Sequence, residues 1–271
     1  MRNDRSDLSD GILLTREGGI ATLTLNRPDA LNVLDLPMME TLVAHSAALA
    51  ADTSLRVVVL KGAGRHFMAG GDLKTFAAQL EAAPDTRRET FQRIVERLHP
   101  AIENLHRMPH AVIGALQGAV AGFGLSLTTA CDLVVAADDA YFASAYRNIG
   151  LTPDGGGTWA LGRIVGLRKA LEIHLLSERF DAEEARRIGL VNRVVPRAEL
   201  DATVAAMARS IAQGPAIALR NVKRMLRDAS DRSLAMQLRA EAESFGECAA
   251  APDFSEGISA FFEKRAPRFS S

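Results

Sequence analysis

Residues 118–157 read GAVAGFGLSLTTACDLVVAADDAYFASAYRNIGLTPDGGG, and the succession of element types inside this stretch decides the fold class. Small residues open it, Gly118-Ala119-Val120-Ala121-Gly122-Phe123-Gly124, and an apolar helix pattern follows over residues 125–130. Cys131-Asp132, a β-rich run over residues 133–137 and the loop Pro153-Asp154-Gly155-Gly156-Gly157 complete it. A helix entered from glycine presents unpaired backbone N–H groups and the positive end of its dipole. Such an end suits an anion, or a carbonyl oxygen that becomes one during reaction. Glycines on both sides of Phe123 also let another molecule approach that backbone without a Cβ clash. Close helix–strand packing is the alternative role of a Gly-x-Gly pair, and the flanking sequence decides between the two.

Upstream, residues 12–16 and 20–26 alternate apolar and polar side chains around Gly18-Gly19, which predicts a hairpin. Asp35 is placed to cap a helix carrying Met39, Leu42, Val43 and Leu49 on one face. Residues 56–61, RVVVLK, read as a buried strand. After Gly62-Ala63-Gly64 comes Arg65-His66-Phe67-Met68-Ala69-Gly70-Gly71-Asp72-Leu73-Lys74, with Asp72 placed to cap the next helix. This second loop-to-helix junction resembles the one at Phe123. Two such junctions are what an oxyanion hole requires, two donors converging on one oxygen. A long helix over residues 86–108 and a strand over 111–116 lead back to the opening stretch.

Downstream, residues 158–176 read as one helix, Asp181 with Glu184 as a capping box, Gly189 as a helix stop and residues 191–195 as a short strand. Strand signals then vanish. Three apolar faces follow at helical spacing: Ala218, Val222, Met225, Leu226; Leu234, Leu238, Ala242, Phe245; and Phe254, Ile258, Phe261, Phe262. They pack either back on the body or on a partner subunit. The expected organisation is an α/β body over residues 1–199 with a helical region over 200–271.

The composition excludes several classes. With 32 Lys+Arg against 33 Asp+Glu there is no electrostatic case for nucleic acid or an anionic membrane. Basic residues do gather toward the C-terminus, from Arg220 and Lys223 to Lys264 and Arg268, a solvated face or a phosphate-binding one. Two cysteines, Cys131 and Cys248, make no disulfide framework. The polar start MRNDRSDLSDG has no apolar signal core, and no apolar run approaches the roughly 20 residues of a membrane span, so a cytoplasmic, soluble protein is expected. Gly62-Ala63-Gly64-Arg65-His66-Phe67 misses the dinucleotide fingerprint because Phe67 stands where the third glycine belongs. Gly124-Leu125-Ser126-Leu127-Thr128 misses the nucleophile elbow because Thr128 replaces its closing glycine. His106 and His110 straddle Pro109, which breaks the helix a metal pair would need.

Taken together, these motifs resemble the crotonase superfamily, the enoyl-CoA hydratases and isomerases. The matching residues are Asn26-Arg27-Pro28 with Leu31-Asn32, the run 62–73, Gly118 to Gly124, Cys131-Asp132, the run 150–158 and Gly189-Leu190-Val191-Asn192, in family order from about residue 12 onward. The resemblance implies an α/β crotonase (ClpP/crotonase) fold, a spiral of ββα units with a helical C-terminal domain that mediates trimer contacts, often as a dimer of trimers. It implies an acyl-CoA substrate and no cofactor beyond the coenzyme A of that substrate. The thioester carbonyl would lie between the amides of Gly71 and Phe123. Ala69, Gly70, Asp72, Leu73, Lys74, Gly122, Ser126 and Tyr146, with the loop of Arg27 and Leu31, would line the substrate's path. Lys264 would reach a CoA phosphate, in its own or a neighbouring subunit.

The chain departs from the pattern at two positions. Family hydratases place glutamates where Ser126 and Tyr146 stand, and a hydroxyl is a poor general base at neutral pH. Asp154 is a different carboxylate, and one carboxylate suffices to move a proton from Cα to Cγ. Its competing role is a helix N-cap at the glycine-rich turn. The run Pro153 to Trp159 and the terminal segment from Ser259 to Phe269 resemble most the phenylacetate-pathway epoxyphenylacetyl-CoA isomerases, in which an aspartate at the position of Asp154 is the proposed base. Double-bond or ring isomerisation with Asp154 as proton shuttle is therefore expected. The alternatives are a hydratase in which Asp154 alone positions water, a thioester hydrolase or peptidase with Ser126 as nucleophile, and a non-catalytic acyl-CoA binder.

Overall fold

The computed structural model describes residues 11–269; most of the polar N-terminal segment considered above for a signal sequence lies outside the described residues. The chain opens with the hairpin β1 (Ile12–Glu17) and β2 (Ile20–Leu25), paired antiparallel from Ile12 opposite Leu25 to Glu17 opposite Ile20. Helix α1 (Leu36–Ala51) follows, its first turn capped by the Asp35 carboxylate, which accepts from the Met38 amide at 2.9 Å. Strand β3 (Val57–Gly62), the short helix α2 (Leu73–Ala77), capped by Asp72, and the long helix α3 (Pro84–Arg107) come next. The chain then forms β4 (Ala111–Leu116), β5 (Ala119–Ala121), α4 (Phe123–Thr129), β6 (Leu133–Ala137) and β7 (Tyr141–Ala143). Helices α5 (Gly157–Val165) and α6 (Leu167–Leu176), strand β8 (Phe180–Asp181), helix α7 (Ala182–Arg187) and strand β9 (Arg193–Val195) complete the body. Four helices close the chain: α8 (Leu200–Ala212), α9 (Ala216–Asp228), α10 (Leu234–Ala250) and α11 (Pro252–Glu263).

The large sheet runs β1-β2-β3-β4-β6-β9 and is parallel from β2 onward, while β5, β7 and β8 make a small second sheet. Each turn of the chain lays one strand in the large sheet, one in the small layer, and then a helix. The turn β4-β5-α4 and the turn β6-β7-α5 are complete; in the turn before them, a parallel bridge from Met68 to Val120 stands in for the small-layer strand. This is the spiral of ββα units expected above.

Both faces of the large sheet are covered, which is why its strands read as unbroken apolar runs. Val57, Val59, Ile113 and Val135 face Leu200, Val204 and Ala208 of α8, while Val58, Leu60 and Val112 face the core shared with α1, α3 and α4. Alternation of side chains along each strand delivers both sets. Helix α8 was not among the three helices read from the sequence. Its apolar face belongs to the sheet, so the helical region after residue 199 begins by packing on the body. A second departure lies at Gly166: the single helix expected over residues 158–176 breaks there, because Gly166 adopts φ of 81° and caps both α5 and α6. The capping box at Asp181 forms by half. Asp181 accepts from the Glu184 amide at 2.8 Å, while the Glu184 carboxylate turns away to Arg187 and Lys169.

Candidate active site

The spiral brings equivalent residues of successive turns to one end of a layer. Met68 pairs with Val120 in parallel register, so three residues further along Gly71 comes level with Phe123. Ala121 pairs with Ala143, so two residues on Phe123 comes level with Ala145, the neighbour of Tyr146. Between the first pair the two chains touch backbone to backbone: a Cβ on Gly122 would lie 3.3 Å from the Gly70 Cα, and one on Gly70 would lie 3.7 Å from the Phe123 amide nitrogen. Gly70 and Gly122 both adopt positive φ, 97° and 55°, and each turns its chain so that the following amide leaves the ladder. Among the described residues, neither the Gly71 nor the Phe123 amide is donated to a backbone carbonyl. Gly122 caps α4 without a side-chain partner, which leaves the Phe123 N–H open at the helix start.

These amides line a cavity of about 790 Å³. Of the residues expected to meet substrate, Ala69, Gly70, Gly71, Leu73, Gly122, Phe123, Tyr146 and Asp154 lie on its wall. Ser126 is buried on α4 just behind that wall, its Oγ 3.3 Å from the Tyr146 hydroxyl. Asp72 and Lys74 sit at the start of α2, joined by the Asp72 cap on the Lys74 amide. Arg27 is engaged elsewhere: its guanidinium meets Asp35 at 3.1 Å and Asp72 at 3.5 Å, and donates to the Val33 carbonyl at 2.7 Å. It ties the loop ahead of α1 to the loop ahead of α2, a bracing role that the sequence did not suggest. Leu31 is exposed and in the left-handed region, its carbonyl accepting from the Ala69 amide. Lys264 closes α11 in a left-handed conformation and lies off the cavity wall.

Asp154 does not cap α5. Gly156 occupies the cap position, and only the Asp154 carbonyl joins the turn, accepting from the Gly157 amide. The carboxylate instead receives the Tyr146 hydroxyl as a donor on Oδ1. Burial pushes the Asp154 pKa above the ordinary carboxylate range, while the Tyr146 hydrogen bond and the His99 charge pull it back. Burial first, and then the Asp154 charge, push the Tyr146 phenol well above its usual value, so it remains a donor. The glycine run explains how this loop fits. A Cβ on Gly155 would lie 2.6 Å from the Phe123 ring, and one on Gly157 would lie 2.5 Å from Ser126 Oγ. Only glycine lets the segment that carries Asp154 press against the residue that supplies one of the open amides.

The sequence reading did not anticipate the wall opposite. Phe91, Ile94, Val95, Leu98 and His99 of α3 face the cavity at helical spacing, and Phe91 meets Phe76 of α2 edge to face at 5.0 Å between centroids. That spacing was present in the sequence as part of a long amphipathic helix, without a mark to show which body the apolar face would cover. Gln92 and Glu96 join the same wall, bonded to each other at 2.8 Å. Among the described residues no group of three or more His, Cys, Asp or Glu could hold a metal ion, and no helix is long and apolar enough to cross a membrane.

Comparison with known proteins bears on the chain as a whole. The sequence model of the family described as enoyl-CoA hydratase/isomerase matches residues 15–271. A Rhodobacter capsulatus protein named "Probable enoyl-CoA hydratase" is 39% identical over 251 residues, covering 93% of this chain and 94% of its own. The 1,2-epoxyphenylacetyl-CoA isomerase of Escherichia coli is 36% identical over 260 residues, covering 95% of this chain and 97% of its own. The crystal structure of an enoyl-CoA hydratase from Polaromonas sp. JS666 superposes with a TM-score of 0.88 at 35% identity, over 96% of this chain and 99% of that one.

Proposed function

We propose, because this chain belongs to the enoyl-CoA hydratase/isomerase family, that it isomerises an enoyl-CoA thioester, with Asp154 as the proton shuttle and the Gly71 and Phe123 amides as the oxyanion hole. Asp154 takes a proton from Cα of a 3-enoyl thioester, and the electron pair flows into the carbonyl. The resulting enolate oxygen is held by two N–H donors that need no reorganisation. The enolate then collapses, the double bond moves to Cα–Cβ, and Asp154 returns the same proton to Cγ. The balance closes without oxidant, reductant or metal.

The observation that carries this reading is the placement of Asp154. Its loop lies against the Phe123 ring, and its carboxyl is pushed toward a useful basicity by burial. The other carboxylates on the cavity wall are committed: Asp35 to the α1 cap and Arg27, Glu96 to Gln92. Ser126 and Tyr146 offer hydroxyls where the family's hydratases place the two carboxylates that hold a water and shuttle its protons.

The reading is tested by giving the purified protein a 3-enoyl-CoA and, separately, a 2-enoyl-CoA. Rapid conjugation of the first with negligible water addition to the second is the expected result. Fast hydration of the second with no conjugation of the first would overturn it in favour of a hydratase in which Asp154 positions water. The same family membership makes a homo-oligomer, a trimer or a dimer of trimers, part of the proposal. Phe245, Phe261 and Phe262 stand more than 70% exposed on α10 and α11, an apolar face that a second copy would cover. Light scattering that returns the mass of one chain would overturn that part.

A further inference from the structure

Three side chains from three separate segments form one hydrogen-bonded chain at the edge of the cavity. Ser126 comes from α4, Tyr146 from a 3-10 turn over Tyr146–Ile149, and Asp154 from the loop before α5. The phenol is buried, donates to Asp154 Oδ1 and keeps its oxygen 3.3 Å from Ser126 Oγ. We propose that Tyr146 is the positioning residue that makes Asp154 a one-oxygen proton shuttle and withholds from the site a second base for water. The proposal rests on the isomerase reading above and adds what fixes the shuttle.

Oδ1 is committed to the phenol, the residue's own backbone amide adds a further bond to the carboxylate, and no second side chain among the described residues donates to it; in the proposal, Oδ2 collects and returns the proton. A carboxylate held at one oxygen cannot swing, so both transfers occur from one point and on one face of the substrate. The phenol itself stays protonated at neutral pH, for the burial and charge reasons given above, and a protonated phenol is too weak a base to deprotonate water. Ser126, its other neighbour, is a hydroxyl whose nearest side-chain partner is the same phenol.

The titratable groups facing Asp154 are Tyr146 from the turn and His99 from α3; Glu96 of α3 and Asp35 before α1 line the same cavity. Burial raises the Asp154 pKa, and the phenol and His99 lower it. Removing the phenol donor therefore moves that pKa up, and strengthening the donor moves it down.

The test measures kcat/KM for 3-enoyl-CoA isomerisation against pH in the full chain, with Tyr146→Phe and with 3-fluorotyrosine placed at position 146. Fluorine makes the phenol a stronger donor and leaves its size nearly unchanged. The acidic limb is expected to rise by about one pH unit in the phenylalanine variant and to fall in the fluorinated one. A limb that stays in place in both variants shows that Tyr146 only fills space and overturns the proposal. If the phenylalanine variant does not fold, the fluorinated protein decides alone. Failure of the parent to isomerise, or full activity in Asp154→Asn, is a separate result: it removes the isomerase reading and this proposal with it.

Discussion

Gly157 packs against Ser126 so closely that a Cβ on the glycine would lie 2.5 Å from the serine Oγ and 3.3 Å from its Cβ. The contact joins the loop of Asp154 to the helix that begins at Phe123, and it sets the spacing between the proposed base and the proposed oxyanion hole. Gly157→Ala is therefore expected to cost about 1–3 kcal/mol by overpacking, read as a lower midpoint in urea. Ser126→Ala removes the nearer of the two obstacles, so the double variant should recover part of that loss. A double-mutant cycle with zero coupling would show that the loop relieves the clash elsewhere.

Gly71 separates amide chemistry from shape. A Cβ there meets only the tip of the Phe76 ring, at 2.9 Å, and that ring is the far end of a side chain that can shift. Gly71→Ala keeps the N–H and should retain most of the turnover, whereas Gly71→Pro removes it. The proline variant is expected to lose about 3 kcal/mol of transition-state stabilisation, on the order of a hundredfold in kcat. Steady-state rates with 3-enoyl-CoA check this, and equal rates in the two variants would remove Gly71 from the oxyanion hole.

Much of the site was legible because its parts are local. The strand at residues 111–116, the caps at Asp35 and Asp72, and the glycines at 70 and 122 each follow from a few adjacent residues. What stayed hidden depends on how the chain turns between elements. Tyr146 and Asp154 are eight residues apart, and their contact follows from left-handed turns at Ala145 and Gly150, of which a sequence marks only the glycine. Helix α8 escaped notice because the positions it buries include small Ala208 beside Leu200 and Val204, a weak apolar rhythm. Gly166 lies in an otherwise continuous helical pattern, and only its φ shows the break. Arg27 shows the converse case: its motif was visible, but its ion pairs depend on two loops meeting.

Asp132, quoted in the sequence only as part of a motif, fastens α9 to the body. Its carboxylate accepts from the Val112 amide at 2.8 Å and meets Lys223 at 2.7 Å and Arg227 at 2.8 Å, with Lys223 also donating to the His110 carbonyl. Asp132→Ala would leave two largely buried cations without their counter-ion, at a cost of about 3–5 kcal/mol. Lys223→Met combined with Asp132→Asn should cost less, because fewer charges are then left uncompensated. Urea midpoints for the two variants test the order, and an equal loss would show that the uncompensated charges do not set the cost.

With Asp154 as the proposed base, stability and turnover are expected to trade against each other with pH. Its folded-state pKa is raised, chiefly by burial, above the ordinary value of 3.8, so the folded chain holds this proton more tightly than the unfolded one. The stabilisation from that proton is fully present below the unfolded pKa and is lost as pH rises through the folded pKa. Asp154→Asn carries no such proton and still offers Tyr146 an acceptor. The stability of the variant relative to the parent should therefore climb as pH rises through that window and level off above it. Any fixed cost of the new amide cancels in a comparison between two pH values. Under the proposed isomerisation, activity should move the other way: the parent would gain rate as Asp154 ionises, and the variant should lose about 10²–10⁴-fold at neutral pH. Thermal unfolding of both proteins at pH 3.5 and pH 8, values chosen to bracket the raised pKa, provides the check. A stability difference that does not change between the two would mean that Asp154 titrates as a solvated carboxyl and is not held as the site requires.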